Sequence, residues 1–214
     1  MKKLAIFGAG GFGREIACLI NHINEKTPTW EIIGFFDDGV EKDTIISHFG
    51  TVLGGMDELN AWDSPLDLAI AIGNPQSLRF VRERIVNPHI SFPNIIHPNF
   101  VMNDPQTFLI GEGNIIQGGC SVSCDVTIGN FNVFNGSVSL GHDVSIANYN
   151  ILMPALRISG EVSIGDENLI GVGAIILQQI KVGNNVRLGA GAVLMTKPKD
   201  GNTYIGNPAK KFRY

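Results

Sequence analysis

From Ile110 to Leu194 every sixth residue is Ile, Val, Leu or Phe, without a slip: Ile110, Ile116, Val122, Ile128, Phe134, Leu140, Ile146, Leu152, Ile158, Ile164, Ile170, Ile176, Val182, Leu188 and Leu194. A helix repeats its apolar residues every 3.6 positions and a strand every 2.0, so neither produces a sustained period of six. A parallel β-helix does. Each hexapeptide supplies one short strand and one corner, three of them close a triangular coil, and the anchor points inward. One coil is then 18 residues, so residues 18 apart stack at about the 4.8 Å spacing of neighbouring strands. Gly often follows the anchor (Gly111, Gly129, Gly141, Gly165, Gly171, Gly183, Gly189), and two residues before it sits something small, branched or Asn, such as Cys120, Val126, Asn132, Ala174 and Ala192.

The 214 residues leave room for one or two domains. A net charge of −4 argues against general binding of a phosphate backbone, so no nucleic-acid partner is expected. No apolar run reaches the 18 or more residues of a membrane span. Met1 to Phe7 begins like a signal peptide, but Gly8 to Arg14 follows at once, so the start reads as the first buried strand of a cytoplasmic protein. Cys18, Cys120 and Cys124 make an odd set, which indicates no disulfide framework. Cys120 falls on a small inward position and reads as a reduced core thiol.

Residues 1–98 read as a Rossmann-like α/β domain and 99–214 as the prism with a turn-rich tail. Lys3–Phe7 is a strand, Arg14–Asn24 has helical spacing, and Trp30–Phe36 is a second strand that ends in Asp37-Asp38. Between the first two lies Gly8-Ala9-Gly10-Gly11-Phe12-Gly13, a dinucleotide-type glycine turn in its required strand–helix context. Glycines there let the backbone approach a phosphate, and an acid at the tip of the second strand accepts from a sugar hydroxyl. Further strands are expected at Thr51–Leu53 and Leu68–Ile72, and helices at Met56–Trp62 and Pro75–Val86, where Arg82 and Arg84 read as a solvated face. Gly73 follows an apolar strand at the end where open parallel sheets bind ligands. The region is too short for a complete NAD domain, so a truncated nucleotide-sugar site fits better than hydride transfer.

His142 is the one histidine of the prism, two residues past the anchor Leu140, so it stands on a corner and points outward. Its 18-residue column holds Cys124, Gly160 and Gln178, and a Gly above the His leaves room for a ligand. Asp143 is placed to polarise the imidazole. Asp143 shares a column with Asp125 and Glu161, which are expected to splay into water.

The glycine turn with Asp37-Asp38, His97-Pro98 at the domain junction, Leu140-Gly141-His142-Asp143 and the closing Gly206-Asn207-Pro208-Ala209 together resemble the sialic acid O-acetyltransferase and nucleotide-aminosugar N-acetyltransferase family of hexapeptide-repeat acyltransferases. The resemblance covers essentially the whole chain. It implies that the prism coils left-handed, against the usual crossover rule. It implies acetyl-CoA as the acetyl donor, no metal, and a homotrimer with the cofactor in clefts between subunits. It makes His142 the general base and Asp143 its partner. It assigns the acceptor, a nucleotide sugar, to Gly10, Gly11, Phe12, Asp37, Asp38 and Gly73, and cofactor contacts to Ile151, Gly160, Val172 and Ala190. Some relatives carry a polar residue where this chain has Ile151. Gly160 lies on the His142 corner but Val172 and Ala190 on another, so one ligand that touches both needs two subunits. The expected reaction is acetylation of the amino group of a nucleotide-linked 4-amino-6-deoxysugar for surface glycans. The alternatives are O-acetylation of sialic acid or another sugar, and a non-catalytic scaffold. A γ-class carbonic anhydrase needs three His ligands per zinc, and the prism offers one His.

Overall fold

A computed structural model describes residues 1–212; the last two residues of the expected tail lie outside it. The chain divides into two compact units, one through Pro98 and one from Asn99 onward.

In the first unit β1 (Lys2–Phe7) is the middle of the sheet. Leu4, Ala5, Ile6 and Phe7 are all buried, a continuous apolar run that needs cover on both faces, as the inner strands of parallel sheets do. Around it lie β2 (Trp30–Phe36), β3 (Val52–Gly54), β4 (Leu66–Ile70) and β5 (Ile90–Ser91), in the order β3-β2-β1-β4-β5 and all parallel. Parallel neighbours need crossovers. These are carried by α1 (Gly11–Lys26) between β1 and β2, α2 (Met56–Asn60) between β3 and β4, and α3 (Pro75–Arg84) between β4 and β5. The buried face of α1 is Ile16, Ala17, Leu19 and Ile20. The helix begins at Gly11, three residues before the expected Arg14, so the glycine turn is partly its first turn. A Cβ on Gly13 would lie 1.9 Å from the Gly8 carbonyl oxygen, and that close approach lets the helix start directly against the strand end.

The second unit is the three-sided prism. Each hexapeptide gives a two-residue strand, and the strands pair in parallel at a strict offset of 18: Ser121 with Ser139, Ser139 with Arg157, Arg157 with Ile175, Ile175 with Val193. Every anchor from Ile116 to Leu194 is buried; Ile110, in the irregular first coil, is half-buried. Each buried anchor contributes about 1.5–3 kcal/mol relative to exposure. Cys120 is buried as expected, its Sγ donating to the Asn135 carbonyl at 3.2 Å, and burial raises its thiol pKa. The tail is less irregular than its turns suggest. Thr203–Ile205 runs beside Arg187–Leu188, and Lys210–Lys211 folds back on it.

Two features of the corners do not show in the period. First, the third residue after each anchor from Ile110 to Leu188 has positive φ, and many of these residues are not glycine, including Phe131, Asp143, Tyr149 and Glu161. A non-glycine residue costs about 1–2 kcal/mol in that region. The cost is offset because the turned amide donates to the coil before it, as Asp143 N–H does to Cys124 O at 3.1 Å. Second, one corner carries two asparagine ladders. Inside, Asn114, Asn132, Asn150 and Asn168 are fully buried; the side-chain oxygens of the first three accept from the backbone and side-chain amides of the next Asn, and that of Asn168 accepts from the Val186 N–H. Outside, Asn148 and Asp166 hand their oxygens the other way, to the coil before. This explains the glycines there. A Cβ on Gly129 would meet the Asn148 oxygen at 2.6 Å, and on Gly165 the Asn184 oxygen at 2.3 Å.

Candidate active site

The expected site residues fall into two groups, one in each unit. On the prism, His142 Nδ1 lies 2.7 Å from Asp143 Oδ2. Successive side chains on an extended backbone point apart. They meet here because Asp143 has φ +57°, which swings its carboxylate back toward its neighbour. The carboxylate holds the proton on Nδ1, which leaves Nε2 as the basic nitrogen. The pair is open to solvent, with half of each side chain exposed.

Gly160 does not leave empty room above the histidine. A Cβ there would lie 2.5 Å from Nε2 and 2.6 Å from Cε1, so the imidazole itself lies over the Gly160 backbone and buries it. The Gly160 amide makes no hydrogen bond to a described residue, which leaves a donor beside Nε2. In the next column Asp125 and Glu161 are both exposed, as expected. Asp143 faces His142, and Glu161 is held by Gln178 at 3.2 Å and Gln179 at 3.1 Å. These two glutamines had no sequence signal beyond their position one coil on.

Val172 is 45% exposed on its corner and Ala190 is exposed too, whereas Ile151 is 1% exposed and its side chain presents no surface to a ligand. Among the described residues no group of three His, Cys, Asp or Glu side chains is placed to hold a metal ion. No described helix is long and apolar enough to cross a membrane.

In the α/β unit, Gly10, Gly11 and Gly73 are exposed, and Phe12 is half-buried. A Cβ on Gly10 or Gly73 would meet nothing within 4 Å, so their backbones face open space. Asp37 is tied to the glycine turn: its Oδ2 accepts from Ala9 N–H at 2.8 Å and its Oδ1 from Gly39 N–H at 2.8 Å. Asp38 is committed elsewhere. It accepts from the Met56 amide at 2.7 Å, capping α2, and pairs with Arg84 at 3.2 Å. The expectation that Arg82 and Arg84 form a solvated face holds for Arg84, which is exposed, but is corrected for Arg82, which is half-buried. Arg84 is bound by Asp38, and the Arg82 guanidinium lies over the Phe92 ring, 4.2 Å from its centroid. Residues so far apart in sequence carry no local signal for these pairs.

Residues 3–87 match the family model described as the PglD N-terminal domain, and residues 161–195 the bacterial transferase hexapeptide model. No curated protein matches the chain. Among solved structures, the acetyltransferase domain of PglB from Neisseria gonorrhoeae FA1090, in complex with acetyl coenzyme A, is 31% identical, with TM-score 0.88 and 99% of each chain covered. A mutant of perosamine N-acetyltransferase from Caulobacter crescentus, in complex with CoA and GDP-perosamine, is 26% identical, with TM-score 0.84, covering 100% of this chain and 98% of that one. WeeI from Acinetobacter baumannii AYE is 25% identical, with TM-score 0.87, covering 99% of this chain and 100% of that one. The fold is thus an N-terminal α/β domain followed by a left-handed parallel β-helix.

Proposed function

The chain belongs to the hexapeptide-repeat acyltransferases that act on nucleotide sugars, and from that premise we propose that it transfers the acetyl group of acetyl-CoA to the amino group of a nucleotide-linked aminosugar of the 4-amino-6-deoxy type, for surface glycan synthesis. The observation that carries this reading is the exposed His142–Asp143 pair beside the unpartnered Gly160 amide, in a chain similar over its full length to an acetyl-CoA-bound acetyltransferase domain. GDP-perosamine, bound by a 26% identical N-acetyltransferase, supports an amine acceptor over a sugar hydroxyl.

The chemistry follows from the groups present. The acceptor amine attacks the thioester carbonyl carbon, and His142 Nε2 takes the proton that the nitrogen must lose. Asp143 stabilises the imidazolium that forms. The Gly160 N–H donates to the oxyanion. The C–S bond then breaks, and the imidazolium returns its proton to the CoA thiolate. The products are the acetamido sugar and free CoA.

The open backbones of Gly10, Gly11 and Gly73, with Asp37 beside them, are suited to the nucleotide diphosphate and sugar. Gly160, Val172 and Ala190 serve acetyl-CoA. Because Val172 and Ala190 lie on a different corner from Gly160, the working form is a homotrimer with cofactor clefts between subunits. Both substrates are cytoplasmic metabolites, so the enzyme works there.

The test is thiol release from acetyl-CoA with a panel of nucleotide aminosugars, the product identified by mass. An acetamido product from a nucleotide 4-amino-6-deoxysugar is expected. Transfer only to hydroxyls, or to none of the panel, contradicts the reading. Sedimentation should show a trimer, and an active monomer would contradict the shared cleft.

A further inference from the structure

The charge of the chain is divided along its length. Residues 1–167 hold 9 Lys and Arg against 19 Asp and Glu, whereas residues 168–214 hold 7 against a single acid, Asp200. The fold gathers this basic segment at one end of the prism. Lys181–Val182, Val193–Leu194 and Lys210–Lys211 are the last strands of its three sheets. The strand Thr203–Ile205 draws the cations together. Arg187 pairs with Thr203 on one side, Lys211 pairs with Tyr204 on the other, and the Tyr204 hydroxyl accepts from the Lys199 N–H at 2.8 Å. Lys197 precedes Lys199 across Pro198, whose burial anchors the turn that carries both.

Lys181, Arg187, Lys197, Lys199, Lys210 and Lys211 are all exposed, and none of these side chains has a hydrogen bond or ion pair to a described residue. Asp200 does not neutralise them. Its carboxylate lies against Gly183, where a Cβ would collide with it. Met195, Ile205 and Phe212 are exposed in the same segment.

Five of the six cations are lysines, which act as point charges and lack the planar fork with which arginine grips a phosphate or a base edge. They are spread over several strands and a turn instead of converging on one point. That arrangement suits a diffuse plane of negative charge, and exposed apolar side chains among lysines suit the interface of a bilayer. The acidic remainder of the chain is repelled by the same plane, which favours contact through this end.

We infer that the C-terminal end of the prism docks reversibly on an anionic phospholipid surface, with the lysines facing the headgroups and Met195, Ile205 and Phe212 at the interface. In the homotrimer proposed above, three such ends face one way about the threefold axis, which multiplies the attraction. The docking goes beyond the acetyl-transfer reading, and either can fail without the other.

Co-sedimentation of the whole protein with vesicles tests it. Phosphatidylcholine vesicles with about 30% phosphatidylglycerol should bind the protein at least about tenfold more than phosphatidylcholine alone. Raising the salt from about 0.1 M to about 0.5 M should release most of it. Lys210→Glu combined with Lys211→Glu should lower partitioning at least about tenfold with an unchanged melting point, and so should Lys197→Glu combined with Lys199→Glu, which lie on a separate turn. Equal partitioning on neutral and anionic vesicles, or binding to neither, overturns the inference. So does undiminished vesicle binding by both charge-reversed variants; a loss of acetyl-CoA affinity in their place would assign the lysines to the phosphates of the cofactor.

Discussion

The Asp143 carboxylate lies 2.7 Å from Nδ1 of the residue directly before it, His142, and the left-handed backbone at Asp143 makes that contact. Side chain and backbone here act as one device. The corner that turns the prism also orients the imidazole, and the ring comes to rest on the only residue type that admits it, Gly160.

Gly160→Ala should therefore damage activity more than stability. The Gly160 backbone is outside the left-handed region, so alanine meets no conformational barrier. Its Cβ would instead displace the imidazole, and a shift of about 1 Å at a reacting group costs on the order of 10² in rate. The half-exposed ring can swing into solvent, so Tm should change little. Turnover and melting of the variant check this; wild-type turnover would mean that the ring position is not used.

Asp37→Ala should weaken nucleotide binding roughly tenfold or more, because a charged acceptor is lost and Ala9 N–H is left unpaired. Acetyl-CoA binding should be unchanged. Calorimetry with GDP and with acetyl-CoA in turn separates the two. Equal loss of both would indicate damage to the fold.

Asn150→Ala tests the buried ladder. Asn150 accepts from both the amide and the side chain of Asn168 and donates to Asn132, all within the interior. Stranding these groups should cost about 2–4 kcal/mol. For a chain of this size that lowers Tm by roughly 4–16 °C. Asn148→Ala, in the half-buried outer ladder, should cost less. A melting point for Asn150→Ala within a degree of wild type would contradict the ladder's role.

The Glu58 carboxyl sits below its ordinary value of 4.5, chiefly because the Gly55 N–H donates to it. A lowered folded-state pKa stabilises the fold above the unfolded value, and that contribution fades as pH falls through the folded value. Glu58→Gln should thus melt slightly below wild type at pH 7, and the gap should close as the pH drops below about 4.5. Melting curves for both proteins from pH 7 to pH 3 test this, and a gap that persists in acid would contradict it.

The prism was legible because its constraint is local and repeated: every anchor has to fill the same triangular interior, so each repeat restates the pattern. The glycine turn and Asp37 were legible for a related reason, since strand, turn and helix follow one another directly. What stayed hidden depends on partners far apart in the chain. Asp38 caps a helix that starts 18 residues later and pairs with Arg84 a further helix away, which no periodicity encodes. The space over Gly160 was misread for another reason. Column positions show which residues stack but not which rotamer fills the gap, and the imidazole fills it.

His142 is proposed as the base for acetyl transfer to an amine. The most direct measurement is turnover of His142→Ala with the aminosugar acceptor, at saturating acetyl-CoA and beside Asp143→Asn. A fall in kcat of roughly 10²–10⁴ is expected for His142→Ala, a smaller fall for Asp143→Asn, and melting points near wild type because the pair is half exposed. Near wild-type turnover by His142→Ala, with an acceptor amine that is still largely protonated at the assay pH, would contradict it.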